Sequence, residues 1–392
     1  MRPLSIPNTV RYVLVTAFFF IAPTVMVAEK MTVTYYYVGA GNCTVIECPG
    51  SDDKLLIDCG SHRVAERGPV ADDIGQKLSG PGAVNLILTH PDQDHYNFLI
   101  YLPDLFDNLN HVYAGGNFNS YSQGNNEQGS TNYRLRAFAA GNIYGQGSSF
   151  SNTPGVAIEA KDYFGQTYKQ VDRLTFSPTD TPTDLQLCGD AQVFLLAANS
   201  ASGAWNLTNP QSLIVAVRYA GVDFIFPGDS DFSGGGFGLQ NALVSWANLN
   251  GVNLNGDFAT FREELHVEFM MASHHGSDEN QANWNGWANV TSPSYLVFSG
   301  KPDSTSPTLR HPTEGGYEPY LGNLRGTTAP LDLHVKDPGG SSNAARLTIT
   351  EAALGLFDVY DLEVVVSDNG VFELKCHADA TDCDREFFNR AD

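Results

Sequence analysis

Short apolar runs recur along the chain, and most of them have the length of a strand. The first run alternates apolar and polar side chains over 31–37, which is the pattern of a half-buried strand, and a glycine-rich turn follows it. A helix is predicted over 62–79, ending at a Gly-Pro-Gly sequence, and another is predicted from Tyr96. Strands with helices between them predict an α/β fold. Further strands are predicted at 43–48, 54–58, 85–88, 192–197, 212–219, 223–226, 267–271 and 295–298.

Two segments depart from this pattern. Residues 115–155 are rich in Gly, Asn, Ser and Gln, which predicts a surface insertion. This insertion is either a lid or substrate loop over a nearby site or an inert loop, and the sequence leaves both alternatives open. The composition of the C-terminal tail, 331–392, predicts several strands. It either completes the main sheets or forms an appendage, so the predicted main domain spans 29–330.

Residues 1–28 have the features of a secretory signal peptide. Arg2 and Arg11 precede a short apolar run, and the small residue Ala28 stands before Glu29. We therefore expect a secreted protein, extracellular or periplasmic, that has no membrane contact after cleavage. An uncleaved membrane anchor is the alternative, although the run is short for a membrane span.

The chain is strongly acidic, with a formal net charge of −22. An acidic surface repels long polyanions, which counts against a protein that coats nucleic acid. It does not exclude an enzyme that holds one phosphate group in a cleft. Adaptation to a salty medium is an equally good explanation of the charge.

Six cysteines in an exported chain favour disulfide bonds. Cys376 and Cys383 would close a short loop near the C terminus, and they are the pair that we expect first. No two cysteines have the Cys-x-x-Cys spacing of a zinc knuckle, so we interpret them as structural. Two further bonds can form in three ways among the remaining cysteines, which are Cys43, Cys48, Cys59 and Cys188.

Residues that bind metals follow the strand predicted at 85–88. In an extended loop, alternate side chains point the same way. We therefore expect His90 and Asp92 to hold one metal ion, and Asp94 and His95 to hold a second. A polar turn in which Asp94 only caps a helix is the alternative.

Later strands end in residues of the same types. Asp229 is the expected carboxylate bridge between the two metal ions. Of His274 and His275, we expect one imidazole to complete the second metal site. The other imidazole either contacts the substrate or is buried and hydrogen-bonded. His311 donates a proton to a leaving group, contacts a phosphate, or lies on the surface.

Strand ends that face a common crevice are where α/β folds bind ligands. Carboxylates and imidazoles delivered to one such edge meet the requirement of a two-metal hydrolytic site, in which water is activated. Mixed ligands of this kind suit zinc, manganese or iron. Lys301 and Arg310 either neutralise an anionic substrate there or are solvated charges.

The sequence resembles the metallo-β-lactamase superfamily, and most closely the extracellular hydrolase domain of ComEC-type competence proteins. The resemblance implies a four-layer αββα sandwich with the metal ions at the edge between two sheets. It also implies phosphodiester hydrolysis, with zinc as the first expected metal. The matching stretches are Val38-Gly-Ala-Gly-Asn42, Leu55-Leu-Ile-Asp-Cys-Gly60, Thr89-His-Pro-Asp-Gln-Asp-His95, Asn209-Pro-Gln-Ser212, Pro227-Gly-Asp229, His274-His-Gly-Ser277 and His311-Pro312.

Three features depart from that family. No membrane channel is predicted, so DNA uptake is not implied. Asn97-Phe98 stands where Gly-Gly usually follows the metal motif, and the long insertion is unusual. Many superfamily members have a further His before the bridging Asp, but the one His between Tyr96 and Gly228 is His111, on a predicted buried strand. The first metal site is therefore expected to lack one protein ligand.

Together these features predict a secreted binuclear metal-dependent hydrolase. Its first expected substrate is a phosphodiester, either a small molecule or a nucleic acid, and Asp94 and His311 are expected to be needed for turnover. Hydrolysis of lactams, lactones or thioesters is the alternative within the same fold. A non-catalytic secreted binding protein with an incomplete metal site is the alternative outside the enzymes.

Overall fold

The computed structural model describes parts of the chain that carry most of the predicted strands. The predicted signal peptide, nearly all of the 115–155 insertion, and the basic pair Lys301 and Arg310 lie outside these parts. Those expectations therefore stay predictions. The described residues are 29–36, 38, 40–61, 67–102, 109–115, 159–163, 166–170, 184–198, 209, 212–232, 240–241, 243–244, 267–299, 311–321, 330–334, 346–350, 353–355, 361–377 and 387–388.

The described residues form strands and a few short helices, and the predicted strands are found within about two residues of their expected bounds. The helices are α1 (Arg67–Leu78), α2 (Asn285–Thr291) and α3 (Glu314–Leu321). The strands are β1 (Lys30–Tyr35), β2 (Cys43–Glu47), β3 (Lys54–Cys59), β4 (Val84–Leu88), β5 (Leu109–Ala114), β6 (Glu159–Tyr163), β7 (Gln166–Gln170), β8 (Gln192–Ala198), β9 (Leu213–Tyr219), β10 (Val222–Phe226), β11 (Phe269–Met271), β12 (Tyr295–Phe298), β13 (Pro330–His334), β14 (Arg346–Thr350), β15 (Ala353–Gly355), β16 (Asp361–Ser367), β17 (Phe372–His377) and β18 (Phe387–Phe388).

Two mixed sheets contain most of these strands. The first has the order β18-β17-β16-β1-β2-β3-β4-β5-β7-β6, and the second has the order β15-β12-β11-β10-β9-β8. Strands β3, β4 and β5 are parallel, as are β10, β11 and β12. The carboxyl ends of each parallel set therefore lie at one edge of its sheet, which is where the His and Asp clusters begin.

Three apolar cores show that the molecule has four layers. The core between the sheets contains Val33 of the first sheet and Phe224 of the second. Ile74 of α1 packs on the outer face of the first sheet, and Trp287 of α2 packs on the outer face of the second. Strands covered on both faces are mostly apolar, and β4 and β10 are buried at each position, with Asn85 and Asp223 as their only polar residues. The predicted αββα sandwich is confirmed.

The described tail strands β15 to β18 belong to the main sheets, so this part of the tail completes them. β16 pairs antiparallel with β1, and β17 pairs with β16, so they extend the first sheet. β15 pairs with β12 in the second sheet. The strands β13 and β14 form a separate pair.

The helix predicted from Tyr96 is wrong. Two 3-10 turns, Gln93–His95 and Leu99–Tyr101, lie on either side of Tyr96. The backbone N–H of Phe98 donates to the Cys59 carbonyl rather than to a helical partner. The helix predicted over 62–79 is found as α1, which ends before Gly80.

Two disulfide bonds involve the first sheet: one joins two of its strands, and the other joins it to the segment before β8. Cys43 is bonded to Cys59, which joins the neighbouring strands β2 and β3. Cys48 is bonded to Cys188, across a sequence separation of 140 residues. These bonds select one of the three pairings that the sequence allowed. Cys383 lies outside the described residues, so its predicted bond to Cys376 stays a prediction. No helix in the described parts is long and apolar enough to cross a membrane.

The tail strand β17 should contribute to global stability because its first residue lies in the central core. The Phe372 ring meets the Phe269 ring edge-on at 5.1 Å and the Tyr295 ring at 5.8 Å. Phe372→Ala should lower the free energy of unfolding by about 3 kcal/mol, because it leaves a cavity between the sheets. Guanidinium unfolding measures this. The control is Asp368→Ala, because Asp368 is exposed. This variant should change the free energy of unfolding by less than about 0.5 kcal/mol. If both variants changed the free energy of unfolding equally, the conclusion that β17 packs into the core would be contradicted.

Candidate metal centre

The loop after β4 places two buried imidazoles side by side. Thr89 and His90 directly follow the strand, and His95 ends a 3-10 turn. The rings of His90 and His95 meet edge-on with centroids 3.9 Å apart. Asp92 is extended and partly exposed, with Oδ2 3.6 Å from Nε2 of His90. The first predicted ligand pair is therefore together.

Asp229 lies between these imidazoles, at the end of β10. Its Oδ2 is 3.5 Å from Nε2 of His90, and its Oδ1 is 3.1 Å from Nε2 of His95. Gly228 precedes it with φ +56°, and a Cβ at that position would lie 2.7 Å from Cβ of Thr89. Glycine is required because a side chain would collide with the metal loop. The carboxylate therefore lies between the two imidazoles, and its bridging of two metal ions stays a prediction.

The two later histidines have different surroundings. His275 is buried, and its Nε2 is 3.1 Å from Oδ2 of Asp94. His274 is partly exposed, and its Nε2 is 3.7 Å from Oδ2 of Asp229. His275 thus adjoins the second ligand pair, and His274 borders the open side of the site.

Both histidines have left-handed backbones, which are costly for residues other than glycine. Their φ values are 48° for His274 and 56° for His275. Asn283 supports this loop: its Nδ2 donates to the carbonyls of Ser273 and Ser277, and its Oδ1 accepts from the Ser273 N–H. These bonds satisfy backbone groups that an irregular buried loop would otherwise leave without partners.

His311 lies beside the paired histidines and is buried. Its ring centroid is 5.8 Å from that of His274 and 6.1 Å from that of His275. The surface alternative for His311 is therefore excluded. His111 is on β5 as predicted, but it is half-buried rather than buried.

Asp58 is a site residue to which the sequence reasoning gave no role. Its Oδ2 is 2.8 Å from Nδ1 of His95, and it also accepts hydrogen bonds from the N–H and hydroxyl of Thr89. A carboxylate on the far nitrogen of a ligand histidine fixes the tautomer and the ring orientation. A signal was available, because Asp58 ends a strand in the same way as the chosen residues do.

The electrostatics of the cluster favour bound positive charge. Burial alone would lower the pKa of His95, but the carboxylates of Asp229 and Asp58 outweigh it and raise that pKa well above its ordinary value. Burial alone would raise the pKa of Asp229, but the neighbouring imidazoles, His95 above all, hold it well below its ordinary value. For His274, burial lowers the pKa. The centre of the site is thus an anion that requires a cation or protons nearby.

The donor atoms fit divalent metal ions. His90, His95 and Asp229 each offer one ligand atom within 4.8 Å of the others, and Asp94, His95 and His275 form a second such group. Nε2 of His90 is buried without a hydrogen-bond partner among the described residues. Nε2 of His95 and Oδ1 of Asp229 lie 3.1 Å apart, but they are not aligned as a hydrogen bond. Buried polar atoms in that state need another partner, and imidazole and carboxylate are common metal ligands.

Sequence comparison agrees with this geometry. Residues 36–128, which include the metal loop, match the profile of the metallo-beta-lactamase superfamily. The chain has a metallo-β-lactamase fold. Proteins of that superfamily are usually hydrolytic and often bind divalent metals. No match was found among curated proteins.

Two solved structures also match, at low identity. A mutant of the CmlA beta-hydroxylase is 14% identical, with a TM-score of 0.36, over 68% of this chain and 46% of its own. A protein of unknown function from Enterococcus faecalis is 12% identical, with a TM-score of 0.31, over 62% of this chain and 49% of its own. The chain thus spans about half the length of these proteins, and such identities transfer no activity.

Asp58 should control metal affinity through His95. In Asp58→Asn, the carboxylate that orients the His95 ring is lost, so metal affinity should fall about 10- to 100-fold while the fold is retained. Competition with a chromophoric chelator measures the affinity, and circular dichroism checks the fold.

A matched control for this variant is Asp223→Asn, which removes another buried carboxylate. Asp223 pairs with Arg218 at the opposite end of β10 from the site. It should bind metal like the unaltered protein. Equal metal affinity of Asp58→Asn and the control would refute the orienting role of Asp58.

Proposed function

We propose that this protein is a secreted, binuclear metal-dependent hydrolase that cleaves phosphodiesters. The observation that supports it most is the pair of overlapping ligand groups, which share His95 and adjoin Asp229. The two disulfide bonds support secretion because such bonds persist in oxidising compartments.

The division of the ligands between two ions is part of the proposal. His90, Asp92 and Asp229 would hold the first ion, and Asp94, His95 and His275 would hold the second. His95 is also within reach of His90 and Asp229, so it could serve either ion. When bound, two divalent ions lower the pKa of water and offset negative charge that develops on the substrate. Zinc is the first expected metal, and manganese or iron also suits these ligands.

The remaining side chains of the site are assigned to substrate contact, to proton donation and to orienting a ligand. His274 borders the open side, and the tilted ring of His311 lies 5.8 Å from it, so both imidazoles are near a group bound against Asp229. We assign His274 to substrate contact and His311 to proton donation to the leaving group. Asp58 orients His95 and does not contact the substrate.

A phosphodiester is the substrate class that the sequence motifs favour. Asp92 stands where many lactamases have a second histidine, and the motif resemblance extends from the metal loop to His311-Pro312. The acidic charge of −22 favours small or single phosphodiester groups over long nucleic acids.

Asp94 should be essential for turnover. Asp94→Ala removes a proposed ligand and the nearer of the two carboxylates beside Nε2 of His275. Hydrolysis of an activated aryl phosphodiester should therefore fall by about 10³-fold or more, comparable to the loss of a key electrostatic group. The fold should persist, because the side chain lies at the site rather than in an apolar core. Ordinary turnover by a folded, metal-loaded variant would rule the proposal out.

A substrate panel should identify the class. The metal-loaded protein should hydrolyse the activated phosphodiester faster than a lactam, a lactone or a thioester. That rate should change little with salt, whereas cleavage of polymeric DNA would fall about tenfold between about 50 and 200 mM salt if about two phosphates are contacted. Two bound metal equivalents without turnover on any substrate would instead support a binding protein.

A further inference from the structure

A pocket of about 330 Å³ lies between α3 and the segment that follows the paired histidines, and the proposed function gives it no role. It is lined by five residues of the segment 278–285 and by Gly315 and Pro319 of α3. This volume is at the lower end of the range that small-molecule sites occupy, so the pocket suits a single ring system. The pocket is thus a candidate for binding part of a substrate.

Both parts of the lining are bonded to the loop of the paired histidines. Nδ2 of Asn283, which lines the pocket, donates to the carbonyls of Ser273 and Ser277 on either side of the two histidines. The helix α3 begins directly after Thr313, whose backbone N–H donates to the Gly276 carbonyl at 3.0 Å. The loop that carries the imidazoles therefore also holds the pocket in place.

The pocket is close to the metal centre along two paths. Phe232 lies three residues after Asp229, and its ring centroid is 4.6 Å from that of the pocket residue Trp284. Asp278, another pocket residue, lies three residues after His275. Three residues of extended chain span at most about 11 Å. A substrate with its phosphate at the metal centre can therefore place a neighbouring group in the pocket.

The side chains that line the pocket suit an uncharged ring rather than a phosphate. Trp284 is partly exposed and offers an aromatic surface on which a planar ring can stack. Gln281 and Asn285 offer carboxamides, which both donate and accept hydrogen bonds. Among the described residues that line the pocket, Asp278 is the only charged one. Its carboxylate repels an anion and accepts from a ring that carries a hydrogen-bond donor.

We propose that this pocket binds the base of a nucleotide substrate, one that carries an exocyclic amino group, while the phosphodiester lies at the metal centre. This inference rests on the proposed function and narrows its substrate to nucleotide esters. The base stacks on Trp284, and its polar edge bonds to the carboxamides of Gln281 and Asn285. The amino group donates to Asp278.

Two substrates with the same leaving group test the pocket. Cytidine 5′-(4-nitrophenyl phosphate) carries a base, and methyl 4-nitrophenyl phosphate carries none. The ratio of kcat/KM for the cytidine ester to that for the methyl ester measures what the base contributes. Trp284→Ala should lower this ratio at least about tenfold, because the stacking surface is lost. Circular dichroism checks that the variant is folded.

A second variant keeps the test decisive, since Trp284 also packs on Phe232. Gln281 is exposed and has φ +58°, and Gln281→Ala should lower the ratio at least about threefold. The matched control is Gln186→Ala, because Gln186 is also exposed, has φ +53° and lies in the segment before β8. It should leave the ratio unchanged. An unchanged ratio in both Gln281→Ala and folded Trp284→Ala would overturn the proposal.

The choice of base tests the role of Asp278. Cytosine presents the N4 amino donor, whereas uracil presents an acceptor at the same position. Cytidine should therefore bind the unaltered protein at least about threefold more tightly than uridine, as titration calorimetry measures. Asp278→Asn should remove this preference, because a carboxamide offers a donor as well as an acceptor. Equal binding of the two nucleosides by the unaltered protein would contradict a site for an amino-bearing base.

The same nucleoside titration separates this inference from the proposed function, because cytidine has no phosphate and needs no metal ion. If metal-free protein binds cytidine but the metal-loaded protein hydrolyses neither ester, the proposed function fails and the base site stands. If the metal-loaded protein hydrolyses both esters equally well and cytidine does not bind, the base site fails and the proposed function stands.

Discussion

The buried carboxylate of Asp229 is the group on which the arrangement of the site depends. Four imidazoles lie around it, with their Nε2 atoms between 3.1 and 3.8 Å from its oxygens. A charge in a low-dielectric interior must be compensated, and several imidazoles cannot all be protonated at such distances without repelling one another. A bound cation compensates this carboxylate most simply. Asp58 adds a second buried carboxylate behind His95, which increases the need for such a cation.

The site also depends on backbone conformations that the surrounding fold must hold in place. Asp58, His274 and His275 all have positive φ, and Gly228 has the same conformation. Such conformations persist at functional sites only where neighbouring interactions determine them. Here the neighbours are polar and specific: Asn283 holds the histidine loop, and the His274 N–H donates to the Gly228 carbonyl at 3.1 Å. Strain and ligand placement are therefore properties of the same few loops.

The sequence allowed the fold and most of the site to be predicted because both depend on short-range patterns. Short, mostly apolar runs such as β10 identify strands buried on both faces, and ligand-type residues after them indicate the shared edge. The segment after His95 could not be predicted in this way. There, long-range bonds such as that from Phe98 to Cys59 override the local preference for a helix.

The role of Asp58 and the disulfide pairing were also beyond the sequence. Both depend on which strands become neighbours: β2 beside β3 brings Cys43 to Cys59, and β3 beside β4 brings Asp58 to Thr89. Spacing along the chain carries no information of that kind. If every acidic residue at the end of a predicted strand had been chosen, Asp58 would have been among them. That choice would not have distinguished a metal ligand from a residue that orients one.

The metal site and the sandwich stabilise each other because the two sheets meet through the site loops. The Leu213 N–H bonds to the Thr89 carbonyl across the sheets, and the Ser299 hydroxyl donates to the Gly41 carbonyl. A cation held by His90 from the first sheet and Asp229 from the second joins the same two layers. Since an ion that binds only the folded state stabilises it by mass action, loading the site also tightens the contact between the sheets. Ion binding at this edge of the sandwich would therefore add to the direct hydrogen bonds that already join the two sheets there.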